Sequence, residues 1–557
     1  MLVYGDEQEA RCPRAALLEI QAALQGLCAL PKGLSWHASA VEAFILLTGL
    51  VQGFVDSQME GRGYDEISSA QQQLYRVLYK YALRIDRSWI TKFTDQTPPS
   101  ASELAGFCDL PWPETINVKR AEGFAFYSLY PETYLEAARG LPTDSVVIGL
   151  RSIGTGLAAL VAAAAGSETI ITVRPTGHPF SRSVNAGPEL SAAIKLLSDR
   201  PFVIVDEGPG LSGSSFGGVA DWLEAQGVSP DQIIFMPSHQ GHLGPNASQR
   251  HRARWDRADK RVRTFEQLFT SPDASLPLHE WFGDITGTLL EPPRNLSGGD
   301  WADGLAAIPT APSREARKYL LRGRRGSFLA KFAGIDRASQ AKLQRARALH
   351  EGGFSPEPLA LRYGFLIERY CDGAPATNVP LAHVAEYCSF RQRHFPGHAG
   401  STLIQLLQMA TYNLGQVDAE LANLVAARWP ERRVRALQSV VEPVHVDGRL
   451  QNWEWLCCDG RILKTDAVDH SQAHDLVGCQ DILWDVAGAA VELPHINERE
   501  SDLANRFCRS QARWDLLQYL KLCYAAFQLG WWSLSDAVDG RARSHLYRRR
   551  AVAMLSA

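Results

Sequence analysis

The chain is predicted to be α/β, with a parallel-sheet region followed by an α+β region behind a helical N-terminal segment. Three observations carry this. Apolar residues return every three or four positions through residues 14–30 and 39–85, as in SAVEAFILLTGLVQGFVDSQM and QQQLYRVLYKYAL. From about residue 118, short apolar runs alternate with helical stretches. Beyond about residue 308 the order changes to antiparallel strands, one helix, and then a mainly helical stretch. At 557 residues the chain also exceeds the roughly 250–300 residues at which single cores stop growing.

In order, SVVIGL (145–150) precedes the turn RSIGTG and an Ala-rich helix, and ETIITV (168–173) precedes RPTGHPFSR. FVIVDE (202–207) runs into a Gly/Ser loop, VADWLEAQGV (219–228) is helical, and QIIFMP (232–237) is a further strand. Strands alternating with helices at this spacing make a parallel sheet covered on both faces, with ligands at its strand ends. EPPRNLSGGDW (291–301) has the composition of a linker. YLL and SFLAKFAG flank the turn RGRRG as two strands, followed by the helix SQAKLQRARALHEGG (339–353) and the strand YGFLIERY (363–370). Residues 383–437 and 500–548 read as helices. The expected division is a helical segment at 1–110, an α/β domain at 111–290, a linker at 291–307 and an α+β domain at 308–557.

Composition excludes several classes. With 57 basic and 61 acidic side chains the formal charge is -4, so a general nucleic-acid binder is not indicated. The N-terminus MLVYGDEQEARCPR lacks the pattern of a secretory signal, and LAALVAAAAG (157–166) is too short to cross a membrane. The ten cysteines show no CxxC spacing, and a cytoplasmic protein with reduced thiols is expected, without membrane partners and with homodimerisation open.

Two stretches carry chemistry. Backbone N–H groups in glycine-rich turns and at helix starts bind phosphate oxygens without a cation. RSIGTG (151–156) and PGLSGSSFGG (209–218) are such turns, with Arg151 at the mouth of the first and Ser212, Ser214 and Ser215 as donors in the second. Asp206 and Glu207 end the strand before the second turn, placed to hold two ribose hydroxyls or the waters of Mg²⁺. His239 and His242 follow the next strand, as a metal pair or as exposed loop residues. Further on, HVDGRLQNWEWLCCDGRILKTDAVDH (445–470) places Asp447 and Asn452 five positions apart, then a hairpin around a DG turn, then Asp466. Phosphoryl transfer needs this set: one carboxylate for the hydroxyl, an amide and a second carboxylate for Mg²⁺.

The run of hydrophobic residues, two acids, a spacer and Ser-Gly-Ser-Ser resembles the PRPP-binding motif of type I phosphoribosyltransferases over about 118–260. The resemblance implies that Asp206 and Glu207 embrace the ribose hydroxyls, while Ser212, Gly213, Ser214 and Ser215 hold the 5′-phosphate. It makes Arg151, Ser152 and Gly154 a pyrophosphate loop and Arg174 a catalytic contact to pyrophosphate. The second acid is Glu where Asp is commoner, and the spacer is longer than usual.

Residues 315–540 resemble the aminoglycoside phosphotransferase and choline kinase-like family, which has a protein-kinase-like fold; His445, Asp447 and Asn452 match its HxDxxxxN motif. The resemblance implies Asp447 as catalytic carboxylate and Asn452 with Asp466 as metal ligands, Asp469 competing with Asp466. Lys331 would pair with nucleotide phosphates, Glu368 to Tyr370 would lie near adenine, and Asp485 would support the loop. No glutamate partner for Lys331 is evident, Glu351 standing at the far end of its helix. Together the two regions imply ATP, Mg²⁺ and PRPP as ligands and small-molecule or nucleotide substrates. The expected function is a bifunctional enzyme of phosphoribosyl transfer and ATP-dependent phosphorylation. The alternative is a kinase controlled by a non-catalytic PRPP- or nucleotide-sensing domain.

Overall fold

The computed structural model describes the chain except residues 6, 7, 100, 108, 211, 245, 246, 303–307, 399 and 557. The helical stretch expected over 39–85 is two helices, α1 (Leu34–Arg62) and α2 (Ser69–Ile90). Gly63, at φ 80°, ends the first, and Ser68 caps the second by accepting from the Gln71 N–H at 3.2 Å. α1 is long and apolar enough to cross a membrane, but 67% of its apolar window is buried inside the protein.

The parallel sheet is built from β1 (Val146–Leu150), the helix α3 (Gly154–Ala165), β2 (Ile170–Val173), β3 (Phe202–Val205), the helix α4 (Ser214–Ala225), β4 (Ile233–Met236) and β5 (Asp259–Lys260). Its spatial order is β2-β1-β3-β4-β5, with every pair parallel. Successive side chains point to opposite faces of a strand. Val147, Val203 and Val205 accordingly join α1, α2 and α3 in one core, while Val146, Ile148 and Ile204 join α4 in another.

The second sheet comprises β6 (Arg294–Asn295), β7 (Lys318–Gly323), β8 (Gly326–Phe332), the helix α5 (Ala338–Glu351), β9 (Pro358–Arg362) and β10 (Phe365–Arg369). It is antiparallel in the order β6-β7-β8-β10-β9. The stretch expected as linker therefore supplies an edge strand, Arg294 pairing with Leu320. Tyr319, Phe328, Phe332 and Phe365 enter the same core as α1 to α3, so the two sheets share one apolar interior.

A third core gathers the helices α6 (Leu381–His394), α7 (Leu483–Glu492) and α8 (Gln511–Ser533) around the hairpin of β11 (Trp455–Cys458) and β12 (Arg461–Lys464). The nine described cysteines are free.

Candidate functional site

In the parallel sheet the strand order reverses between β1 and β3, and open α/β sheets bind ligands outside the carboxyl strand ends at such a point. Both expected phosphate loops lie there, Arg151 to Gly154 after β1 and Asp206 to Ser215 after β3. Gly149 makes the crossing possible, because a Cβ on it would sit 2.1 Å from the Gly154 carbonyl oxygen. Gly213, at φ 62°, starts α4, and the hydroxyls of Ser212 and Ser214 both donate to the Pro179 carbonyl, at 2.8 and 2.6 Å. These two serines are spent on the hairpin Thr176–Ser183, leaving Ser215 half-exposed at the helix start.

Glu207 Oε2 accepts from the Gly123 N–H at 2.7 Å, and the Asp206 carbonyl accepts from the Tyr134 hydroxyl at 2.7 Å. Burial pushes the carboxyl of Asp206 up to about 7. Burial, with Asp206 beside it, pushes Glu207 up to about 8.

The expected role of Arg151 meets two competing partners. Its buried guanidinium is ion-paired with Asp56, at 2.8 Å, and with Asp65, partners that a phosphate would have to displace. Arg174 also binds Asp56, its Nε donating at 2.9 Å, but keeps 20% of its side chain exposed. Asp56 belongs to α1 and Asp65 to the turn after it, so the N-terminal segment supplies the counter-charges of this loop. Sequence reasoning missed both acids, since nothing local distinguishes them. Ser152 is half-buried and Gly154 buried at the start of α3. His239 and His242 are exposed, and among the described residues no group of three or more ligating side chains could hold a metal.

The second site forms where β8, the hairpin and the segment after it meet. Lys331 on β8 contacts Asp466 Oδ1 and, at 2.5 Å, Asp469 Oδ2. Burial works against its charge, but the two carboxylates hold Lys331 protonated above its ordinary range. Burial likewise works against the charge on Asp466, and Lys331 keeps that carboxyl well below the usual range. No glutamate from α5 faces the lysine; Lys342 stands there, 2.9 Å from Asp469 Oδ1. Asp469 is thus held between two lysines, whereas Asp466 keeps 32% of its side chain exposed. Asp466 also adopts φ 54°, the left-handed region that a non-glycine residue enters at a cost and that collects at functional sites.

Asp447 is buried, taking the Tyr387 hydroxyl on Oδ2, the Arg449 N–H at 3.0 Å and Lys464 Nζ at 3.3 Å on Oδ1. Asp485 accepts from the N–H groups of Asp447 and Gly448 at 2.8 and 2.9 Å, fixing the turn that presents the carboxylate. His445 lies behind the loop, its Nδ1 3.2 Å from the Ser471 hydroxyl, and burial pulls it down to about 4. Asn452 is exposed at the head of the turn before β11. Glu368 shares the Lys331 face of its sheet, Lys331 pairing with Leu366 and Leu329 with Glu368. Burial raises its carboxyl to about 7 against the pull of Lys331. Tyr370 leaves β10 with its N–H on the Ser327 carbonyl at 3.0 Å.

Tyr387 and Arg391 lie four apart on α6 and were not singled out by sequence, although that spacing puts them on one helix face. Arg391 donates to Tyr387 at 2.8 Å, to the Ala467 carbonyl at 2.8 Å and to the His445 carbonyl at 2.6 Å. Replacing it by Leu removes a buried cation 3.8 Å from each of two buried carboxylates, Asp447 and Asp485, and the donor to the Tyr387 hydroxyl. Loss of one partner from a buried ionic group costs about 3–5 kcal/mol, so the urea midpoint of Arg391→Leu should fall by a corresponding amount.

A strap between residues 120 and 134 joins the two sites. Its Gly123 N–H holds Glu207, while its Arg120 binds Asp336 at 2.6 Å and the Gln472 carbonyl at 3.2 Å. Tyr127 meets His474 Nδ1 at 2.6 Å, and Glu122 lies 3.2 Å from His474 Nε2. The segment after Asp466 is therefore held by Arg120, Glu122 and Tyr127 of the same strap whose Gly123 and Tyr134 hold the sheet's acids.

No protein-family model matches the chain, and no curated protein matches it. Among solved structures, it is similar to the choline kinase LicA from Streptococcus pneumoniae, with 14% identity, 50% of this chain and 97% of that one covered, and a TM-score of 0.35. A choline/ethanolamine kinase family protein from Mesorhizobium loti gives 17% identity, coverage of 49% and 90%, and a TM-score of 0.33. An aminoglycoside phosphotransferase from Alicyclobacillus acidocaldarius gives 12%, coverage of 43% and 89%, and a TM-score of 0.28. These likenesses are remote, and the functional reading rests on side-chain geometry.

Proposed function

We propose that the protein is an ATP-dependent phosphotransferase acting on a hydroxyl of a small molecule or nucleotide. The observation that carries this is the convergence of Lys331, Asp466 and Asp447, with Lys464 at 3.3 Å from Asp447. A lysine for phosphate oxygens, a carboxylate for a metal and a carboxylate for the acceptor hydroxyl are what phosphoryl transfer requires. Mg²⁺ is suited by this donor set, since it binds through one or two protein groups plus substrate phosphates, and when bound it supplies charge neutralisation on those phosphates. Asp466 and Asn452 would hold it. Lys331, released from its carboxylates as nucleotide enters, would bind phosphate oxygens. Asp447 would orient the acceptor hydroxyl and take its proton at a carboxylate oxygen, with Tyr387 and Arg449 fixing its angle. Full-length protein should bind an ATP analogue with Mg²⁺; no binding by folded protein would remove this reading.

A second site reading concerns the parallel sheet, where Asp206, Glu207 and the 212–215 loop would bind PRPP. Arg151 and Arg174 are both paired with Asp56, so transfer would require pyrophosphate to displace that carboxylate, whereas a sensing role would not. The shared core makes the intact chain the right material for the test. Glu207→Gln should cost about 1–3 kcal/mol of PRPP binding by calorimetry. Asp206 and Glu207 sit near 7 and 8, above their unfolded values, so each contributes stability below its unfolded pKa and loses it as pH rises through those values. Ribose hydroxyls need the ionised acids, and PRPP binding at pH 7 should therefore release protons, seen as a dependence of the binding heat on buffer ionisation enthalpy. Binding without proton release would place PRPP elsewhere.

A further inference from the structure

Beside Asp447 lies a cationic and aromatic corner whose side chains the reaction described above does not use. Arg449, whose N–H holds Asp447 Oδ1 at 3.0 Å, sets its guanidinium 4.2 Å from the centre of the Trp531 ring. Arg314 sets its own 4.9 Å from that ring and 5.3 Å from the Tyr4 ring. Two guanidinium groups thus share one indole. Among the described residues, Arg449 pairs with Asp475, 3.6 Å from its Nη2, and Arg314 has no ion-pair partner. Asp536, the next acid, accepts the Ser313 N–H at 3.0 Å. Arg314 Nη1 is sealed from solvent and has no hydrogen-bond partner.

A purely structural account has Arg314 stacking the Tyr4 strand onto the helical lobe, and cation–π contacts do support packing. That account leaves the half-buried Arg314 guanidinium with ring contacts but, among the described residues, no hydrogen-bond or ion-pair partner. It also leaves two neighbouring cations to repel each other; burial and the nearby Arg449 are among the influences on Arg314, whose guanidinium is held below its ordinary range.

We propose that Arg314 and Arg449 bind a phosphate monoester carried by the acceptor whose hydroxyl is presented to Asp447. This rests on the phosphotransferase reading and deepens it by naming the acceptor class. Two guanidinium forks, with one carboxylate between them, suit a dianion, whereas a carboxylate would be satisfied by one fork. A cationic acceptor would meet two like charges there. The position also suits a ligand with both a phosphate and a free hydroxyl, since Arg449 spans from the indole to the backbone beside Asp447.

The test uses the full chain carrying Asp206→Asn and Glu207→Gln, so that the sheet site does not contribute, with ribose 5-phosphate and unphosphorylated ribose as probes. Ribose 5-phosphate should bind in calorimetry and ribose should bind much more weakly. Arg314→Gln should weaken the phosphorylated probe by roughly tenfold or more, as loss of a charge-assisted hydrogen bond does, with affinity for an ATP analogue unchanged. If Arg314→Gln fails to bind the analogue and so has lost its fold, Arg449→Gln reads the same phosphate dependence. Equal binding of ribose and ribose 5-phosphate, or binding indifferent to either arginine in folded protein, overturns the proposal. Failure of the parent reading shows separately, as nucleotide affinity indifferent to Asp466→Ala.

Discussion

Asp447→Asn should abolish most turnover, by roughly 10²–10⁴-fold, while leaving affinity for an ATP analogue near that of the native chain. The expected split follows from where the carboxylate sits. It is buried against Tyr387 and Lys464, and Asp485 accepts from its own N–H and that of Gly448, so an amide of the same shape should keep the loop in place. What the amide cannot do is take the proton of the acceptor hydroxyl. Lys464 adds a second effect: with Asp447 neutral, its buried ammonium loses the partner at 3.3 Å, and some thermal stability should go with it. Rate and nucleotide affinity are therefore measured separately, with the acceptor in saturation. A substituted protein that turns over at close to the native rate removes Asp447 from the chemistry.

The second large effect separates two aspartates three positions apart. Asp466→Ala should strip most Mg²⁺-dependent nucleotide affinity, whereas Asp469→Ala should lower thermal stability first and nucleotide affinity less. Both touch Lys331, but Asp469 is also bound to Lys342 and is the more enclosed. Asp466 keeps an exposed edge and holds a left-handed backbone, an arrangement whose cost needs a return in function. Titration with Mn²⁺ in the presence of the analogue gives the order directly. If Asp469→Ala abolishes metal-dependent binding and Asp466→Ala does not, the metal ligand is one turn further along.

The strap at 120–134 bears on how two such sites live in one chain. A tether of linker composition would let the two halves act apart. Instead β6 is stitched into the second sheet, and the apolar core runs from α1 through β3 to Phe365. Such a shared interior resists the relative motion that is otherwise the default between domains. Gly123, which holds Glu207, stands next to Glu122 and four positions before Tyr127, the two residues that contact His474, eight positions beyond Asp466.

Local pattern was enough for the central strands and the helices of both sheets, but not for Asp259–Lys260, Arg294–Asn295 or Pro358–Arg362. Hydrophobic period, glycine turns and the placement of acids at strand ends depend on neighbours in sequence, and they put Asp206, Asp447 and Asp466 at strand or turn positions before any packing was known. The same information gave no access to charge partners. Asp56 reaches Arg151 across 95 positions, Lys331 reaches Asp466 across 135, and Tyr387 reaches Asp447 across 60. Electrostatic pairing is decided by distance in space, and burial multiplies its effect, so which arginine is free, which aspartate is open and which lysine is neutralised were settled only when the chain closed on itself. The linker stretch shows the same limit in reverse. Its Pro/Gly composition describes a flexible segment in isolation, and only pairing with β7 turns Arg294 and Asn295 into an edge strand.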